Sequence, residues 1–128
     1  MKRNADARSI ADDLLRLSDE FALAAEERVR LEDEFLKAQM EVENYDSEMC
    51  DGISRDPESF GCAPGEKMQW YRVMSASRST AEYRRLKEAE AEARKAFKEA
   101  EAKERSILVG IDCRRSAIAA FSAGSFSH

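Results

Sequence analysis

The sequence predicts an all-α protein, a long antiparallel helical hairpin of coiled-coil character, completed to a bundle by self-association or by a partner. Three observations carry that prediction. From Ile10 to Met49 apolar residues recur at alternating steps of three and four: Ile10, Leu14, Leu17, Phe21, Ala24, Arg28, Leu31, Phe35, Ala38, Val42, Tyr45 and Met49, with only Arg28 breaking the run. An alternation this long keeps one narrow stripe on one side of one helix, and such a stripe needs another helix against it. Next, both prolines (Pro57, Pro64) and Gly52, Gly61 and Gly65 fall between residues 51 and 65, so the chain reverses there. Finally, 37% of the residues are charged, and Ala, Glu, Lys, Leu and Arg dominate the second half, a long-helix composition. The domain so predicted spans 1–121.

Helix 1 is expected over about 5–50. Asn4 can cap it, Asp6 suits its positive end, and no Gly or Pro interrupts it before Gly52. Leu14, Leu17, Phe21, Arg28, Leu31, Phe35, Val42, Tyr45 and Met49 are the helix–helix seam. A second apolar row at seven-residue spacing, Leu15, Ala22, Val29 and Leu36, lies beside it. A two-stranded seam leaves that row wet, so helix 1 is expected to touch more than one neighbour. Arg28 sits in the seam, where it can pair with an acid of the facing helix (Glu88, with the turn centred near residue 58) or equally reach water along its aliphatic stem.

Asp51-Gly52 reads as a helix stop, since glycine takes the left-handed conformation at a C-terminus without penalty. The loop is expected over 51–65, with Asp56-Pro57-Glu58 as one helical turn. The same turn centre pairs Tyr45 with Tyr71 and Met49 with Met68, and lets Phe60 fold over the tip.

Helix 2 is expected over about 66–121. It opens on the Met- and aromatic-rich run Met68, Trp70, Tyr71, Val73 and Met74. The stretch from Ser75 to Thr80, with Ser79 and Glu82 in the form of a capping box, allows a kink or restart near 77–80 and equally a continuous helix with Ser and Thr on its wet face. Gly110 marks an alternative break. Leu86, Ala89, Ala93, Phe97 and Ala100 form the apolar stripe, and Glu88, Glu90, Glu99 and Glu101 have basic residues one turn away. Ile107, Leu108, Val109, Ile111, Ile118 and Phe121 follow. In this register residue 107 faces residue 9, so 110–121 overhang the start of helix 1 and need cover. Residues 122–128 read as a flexible tail.

Net charge is −5, unevenly placed. Residues 1–50 hold 14 acidic and 7 basic side chains, and residues 66–115 hold 9 and 13, so the halves complement one another. Arg84, Arg85, Lys87, Arg94, Lys95 and Lys98 form a basic stretch without interleaved aromatics, which suits a solvated face better than a nucleic-acid site. Three cysteines, Cys50, Cys62 and Cys113, do not make a disulfide framework, although Cys50 and Cys62 flank the loop. There is no signal-peptide pattern and no run long enough to cross a bilayer, so a cytoplasmic protein without membrane contact is expected.

Catalytic machinery is missing by inspection. The one histidine is His128, so no triad, no Cys–His pair and no His-metal set can be built, and no glycine-rich phosphate loop follows a strand. The expectation is a non-enzymatic protein with no cofactor and no metal. In outline the chain resembles stalk and chaperone proteins of secretion systems, and small phage-encoded proteins that bind host machinery. That resemblance implies adhesion and transfers no site residue. The expected function is therefore a small helical adaptor or inhibitor of another protein or complex. The alternatives are a structural or assembly subunit of a virion or secretion apparatus, and a nucleic-acid binder using the basic half of helix 2. The expected partner is a protein, a second copy of the chain, or both, with a dimer favoured. Candidate partner-binding residues are Leu15, Val29 and Leu36 on helix 1, Trp70, Tyr71 and Met74 near the tip, and Ile107, Leu108, Ile111, Ile118 and Phe121 near the C-terminus.

Overall fold

Helix α1 spans Lys2–Arg55 and helix α2 spans Ala81–Phe126. The computed structural model describes residues 2–56, 58 and 75–126 of the chain. The two long helices pack against each other as an antiparallel hairpin, and no strand occurs among the described residues. Contacts divide the chain into two compact units: Met1–Leu31 with Phe97–His128, and Glu32–Ala96.

α1 does not stop at Gly52. It runs on to Arg55, and Asp56 N–H still donates to Gly52 O at 3.0 Å. The reason is Ile53, which continues the three-four series one step beyond Met49 and is 1% exposed, with Cys50 packed against it. Burying an isoleucine stabilises by roughly 1.5–3 kcal/mol. A glycine inside a helix costs only about 1 kcal/mol. Burial wins and the stop signal is overridden. The start also lies earlier than Asn4, at Lys2.

Every one of the twelve stripe positions from Ile10 to Met49 is buried or half-buried, with Ala24 and Val42 the most enclosed. In the first unit three cross-helix contacts set the alignment. Arg28 Nε donates to Glu104 Oε2 at 2.5 Å, the Arg114 guanidinium lies 3.9 Å from Asp13, and a Cβ on Gly110 would stand 3.7 Å from Leu17 Cδ1. In the second unit Arg94 lies 5.3 Å from the Phe35 ring centroid, the rings of Tyr45 and Tyr83 are 6.2 Å apart, and Ser77 Oγ donates to Asp46 at 3.4 Å. Numbers rise on one helix as they fall on the other.

These contacts correct the register read from sequence. Arg28 meets Glu104 and not Glu88, and Tyr45 meets Tyr83 and not Tyr71. The displacement is about 20 Å along the helix axis. It removes the expected overhang: Gly110 lies beside Leu17, and Arg114 beside Asp13. The expected facing of Met49 with Met68 and the fold-over of Phe60 involve residues outside the described ones.

Of the two readings of residues 75–80 the interrupted one holds, and Gly110 lies within continuous α2. Residues 75–78 are helical, Ser79 turns, and α2 begins at Ala81. The cap belongs to Thr80, one residue after the predicted Ser79. Tyr83 N–H donates to Thr80 Oγ1 at 3.2 Å, while the Ser79 hydroxyl donates backward to Ala76 O at 2.8 Å. Thr80 gives its own proton to Ser77 O at 3.0 Å, so its oxygen accepts from the Tyr45 hydroxyl as well. Hydroxyl side chains here satisfy backbone groups that an uninterrupted helix would have satisfied itself. At the other end α2 continues to Phe126, past the tail boundary expected at residue 122.

The α2 stripe also differs by one position. Leu86, Ala93, Phe97 and Ala100 are half-buried, but Ala89 is exposed and Glu90 is buried in its place. Lys87 Nζ and Arg94 Nη2 each lie 3.3 Å from Glu90 Oε1, so the carboxylate is neutralised from its own helix. Arg94 then lays its guanidinium near the Phe35 face, which joins that pair to α1 within the second unit.

Candidate interaction surface

Each unit is described separately. In the first, the flank of the hairpin holding Glu20 and Glu27 forms an open groove of about 450 Å³, lined also by Leu23, Ala24, Ala100, Lys103 and Ile107. Its floor is apolar because Ala24 and Ala100 are small enough to let the helices approach. Its walls are charged. Glu27 is held below the ordinary carboxylate range by the hydrogen bond from Arg30, a partial desolvation opposing this, with the charges of Arg30 and Lys103 adding to the lowering. Leu23 stands at the groove with two-thirds of its surface exposed (66%).

The opposite flank of the same unit presents the second apolar row. Leu15 and Val29 are exposed at 69% and 55%, and Ala22 between them is exposed. Leu108 and Val109 of α2 are exposed, Ile107 lines the groove, and Ile118 and Phe121 are half-buried. Ile111 is 4% exposed and belongs to the core, so it is not available to a partner. In the second unit, Leu36 and Met40 are exposed. Trp70, Tyr71 and Met74 lie outside the described residues.

Sequence reasoning does not single out Leu23 and Met40, and it names Val109 in the apolar end of helix 2 without making it a partner-binding candidate. The signal that finds Leu23 and Met40 is an apolar side chain off the stripe on an otherwise charged helix. Glu90 was read only as a surface ion-pair partner. Its seven-residue spacing between Tyr83 and Phe97 places it in the seam despite its charge.

Polar chemistry in the described residues is that of ion pairing. Arg16–Asp13, Lys37–Asp33, Arg85–Glu82, Lys98–Glu101 and Arg105–Glu101 are pairs one turn apart, at 3.0 to 3.8 Å on exposed faces. Each contributes a few tenths of a kcal/mol. The Arg28–Glu104 pair, with its side chains 28% and 21% exposed, is the more enclosed cross-helix pair, and it places a base on α1 and an acid on α2, against the bulk charge asymmetry. No group of three or more His, Cys, Asp or Glu positioned to hold a metal occurs among the described residues. The Cys50 thiol is half-buried and pushed above its ordinary range by burial, then by the Asp46 and Asp51 charges, with Arg78 opposing. Cys113 is an exposed thiol, and Cys62 lies outside the described residues. No described helix is long and apolar enough to cross a membrane.

Fold and surface together define a class: an antiparallel helical hairpin with surplus apolar surface on the outside of α1. No protein-family model, no curated protein and no solved structure matches the chain.

Proposed function

We propose that the chain acts by adhesion, as a small non-enzymatic helical adaptor or inhibitor that binds another protein. One observation supports this above the others: in the first unit the seven-residue row Leu15, Ala22 and Val29 is solvent-exposed on a helix whose other apolar stripe is already covered by α2. Single exposed aliphatics are ordinary on any surface, but a row at helical spacing is the pattern by which one helix takes another. The nucleic-acid reading is weaker, because Lys87, Arg94, Arg85 and Lys98 in the basic stretch are each matched to a glutamate one turn away.

The test is capture from the native host's extract followed by mass spectrometry, run side by side with a Leu15→Asp/Val29→Asp chain. The expected result is a defined partner retained by the natural chain and lost by the variant, with circular dichroism unchanged. Equal capture by both removes the reading. Light scattering across dilution separates the assembly-subunit alternative, which predicts open-ended growth in place of a discrete particle.

A further inference from the structure

The first unit carries on its own surface both halves of a charge match. On α1 the groove acids Glu20 and Glu27 immediately precede the stripe residues Phe21 and Arg28, whereas Leu15, Ala22 and Val29 immediately follow Leu14, Phe21 and Arg28. At 100° per residue the apolar row therefore lies on the flank away from the groove. On α2 Lys103, which lines the groove, precedes Glu104, and Leu108 follows Glu104 by one turn on the other side. Leu15, Ala22, Val29 and Leu108 thus share one flank. Its outer edge on α1 is the exposed acidic row Asp12, Asp19 and Glu26, and its outer edge on α2 is the exposed row Lys98, Arg105 and Asp112, with the exposed Arg115 in the row of Leu108.

We propose that this flank docks a second copy of the chain. The copy is turned about a two-fold axis parallel to the helices, so that α1 of each protomer lies on α2 of the other. Leu15, Ala22, Val29 and Leu108 are enclosed at the centre, and Glu26 of each protomer meets Arg105 of the other. The commitment to a second copy rests on charge. A face with Glu26 on one edge and Arg105 level with it on the other complements itself only when a two-fold exchanges the edges. Laying α1 on α1 would place carboxylates against carboxylates. The levels agree at Glu26: Arg28 beside Glu104 puts it at the height of Arg105, whereas Asp19 falls near the height of Asp112, and this axis preserves height. Lys98 and Arg105 lie 3.6 and 3.8 Å from Glu101 on their own helix, and Lys98 also lies 5.4 Å from the Phe97 ring centroid, but 63% and 73% of their side chains are exposed, so both remain accessible. This inference rests on the adhesion reading above and names its partner.

Sedimentation equilibrium from low micromolar to sub-millimolar chain tests it with two charge-reversed proteins. One carries Glu26→Lys, and the other Arg105→Glu. The natural chain is expected to dimerise. Each reversed chain alone is expected to dimerise at least about tenfold more weakly, because its edges then repel their own copies. Mixed one to one, the two are expected to form a heterodimer, since both edge contacts become complementary again. Every substituted position is exposed, and far-UV circular dichroism checks that each variant is helical; Glu26→Gln and Arg105→Gln serve where a reversed chain fails to fold. A monomeric natural chain, reversed chains that dimerise as tightly as the natural one, or a mixture that stays unpaired overturns the proposal. A monomer that still captures another protein through Leu15 and Val29 overturns self-docking while the adhesion reading stands.

Discussion

The Arg28–Glu104 pair fixes the alignment of the first unit, and breaking it should be measurable. The two groups approach to 2.5 Å with side chains 28% and 21% exposed. Two unit charges about 4 Å apart near a protein surface attract by roughly 4 kcal/mol before costs are counted. Desolvating two half-covered charges and fixing two long side chains returns most of that, leaving a coupling of about 1–2 kcal/mol. Glu104→Gln is therefore expected to destabilise by about 1–2 kcal/mol, and Arg28→Gln by a similar amount. For a chain of this size each kcal/mol moves Tm by about 4 °C. The assay is urea and thermal unfolding by circular dichroism at one fixed concentration, since association itself shifts apparent stability. The cycle compares Arg28→Gln, Glu104→Gln and the double variant. A parallel cycle with Glu88→Gln is the control, because Glu88 faces Arg28 in the register that sequence alone suggests. A coupling with Glu104 below about 0.3 kcal/mol, or a coupling with Glu88 that exceeds it, refutes the alignment.

Three further outcomes follow from single sites. Gly110→Ala is expected to stabilise by about 0.5–1 kcal/mol, because glycine is costly inside a helix. The added Cβ would find Arg114 at 3.5 Å and Leu17 at 3.7 Å, ordinary contact distances, so a fall in Tm would show that the helices are closer there than described. Thr80→Ala removes the cap of α2 and the oxygen that Tyr45 binds, and is expected to cost about 1–2 kcal/mol, while Ser79→Ala should cost clearly less. Equal losses in urea titrations would return the cap to Ser79. At mildly alkaline pH, iodoacetamide should label Cys113 several-fold faster than Cys50, read by peptide mass spectrometry. Burial and the Asp46 and Asp51 charges favour the Cys50 thiol over its thiolate. That stabilisation of the folded state is present below the unfolded thiol pKa and fades as pH rises through the raised one. Equal rates in the folded chain refute the burial.

Much of the hairpin was legible one residue at a time. The stripe from Ile10 to Met49 follows from side-chain spacing alone, because a helix rotates a fixed angle per residue whatever surrounds it. The row Leu15, Ala22, Val29 and Leu36 was visible in the same way, and an interruption by Ser75 to Thr80 was one of two readings open there. What misled were positions where two local rules competed. Gly52 signals a stop, but Ile53 gains more from burial than the glycine costs. Ser79 and Glu82 form a capping-box pattern, yet Thr80 is the residue whose oxygen Tyr45 reaches across to meet. Ala89 fits an apolar stripe, yet the seam takes Glu90, since Lys87 and Arg94 neutralise it in place.

The sequence by itself determined the class, the two helices and the face each turns inward, because these depend on a periodicity that belongs to the chain. Only the tertiary structure decided how far one helix is slid along the other. A seven-residue repeat matches its partner almost as well after a slip of whole repeats, and the alignment read from spacing is off by about two of them. The apolar stripe cannot tell these alignments apart. The polar residues set into it can, because only at this slip does the half-buried Arg28 meet Glu104 and Arg114 come within 3.9 Å of Asp13.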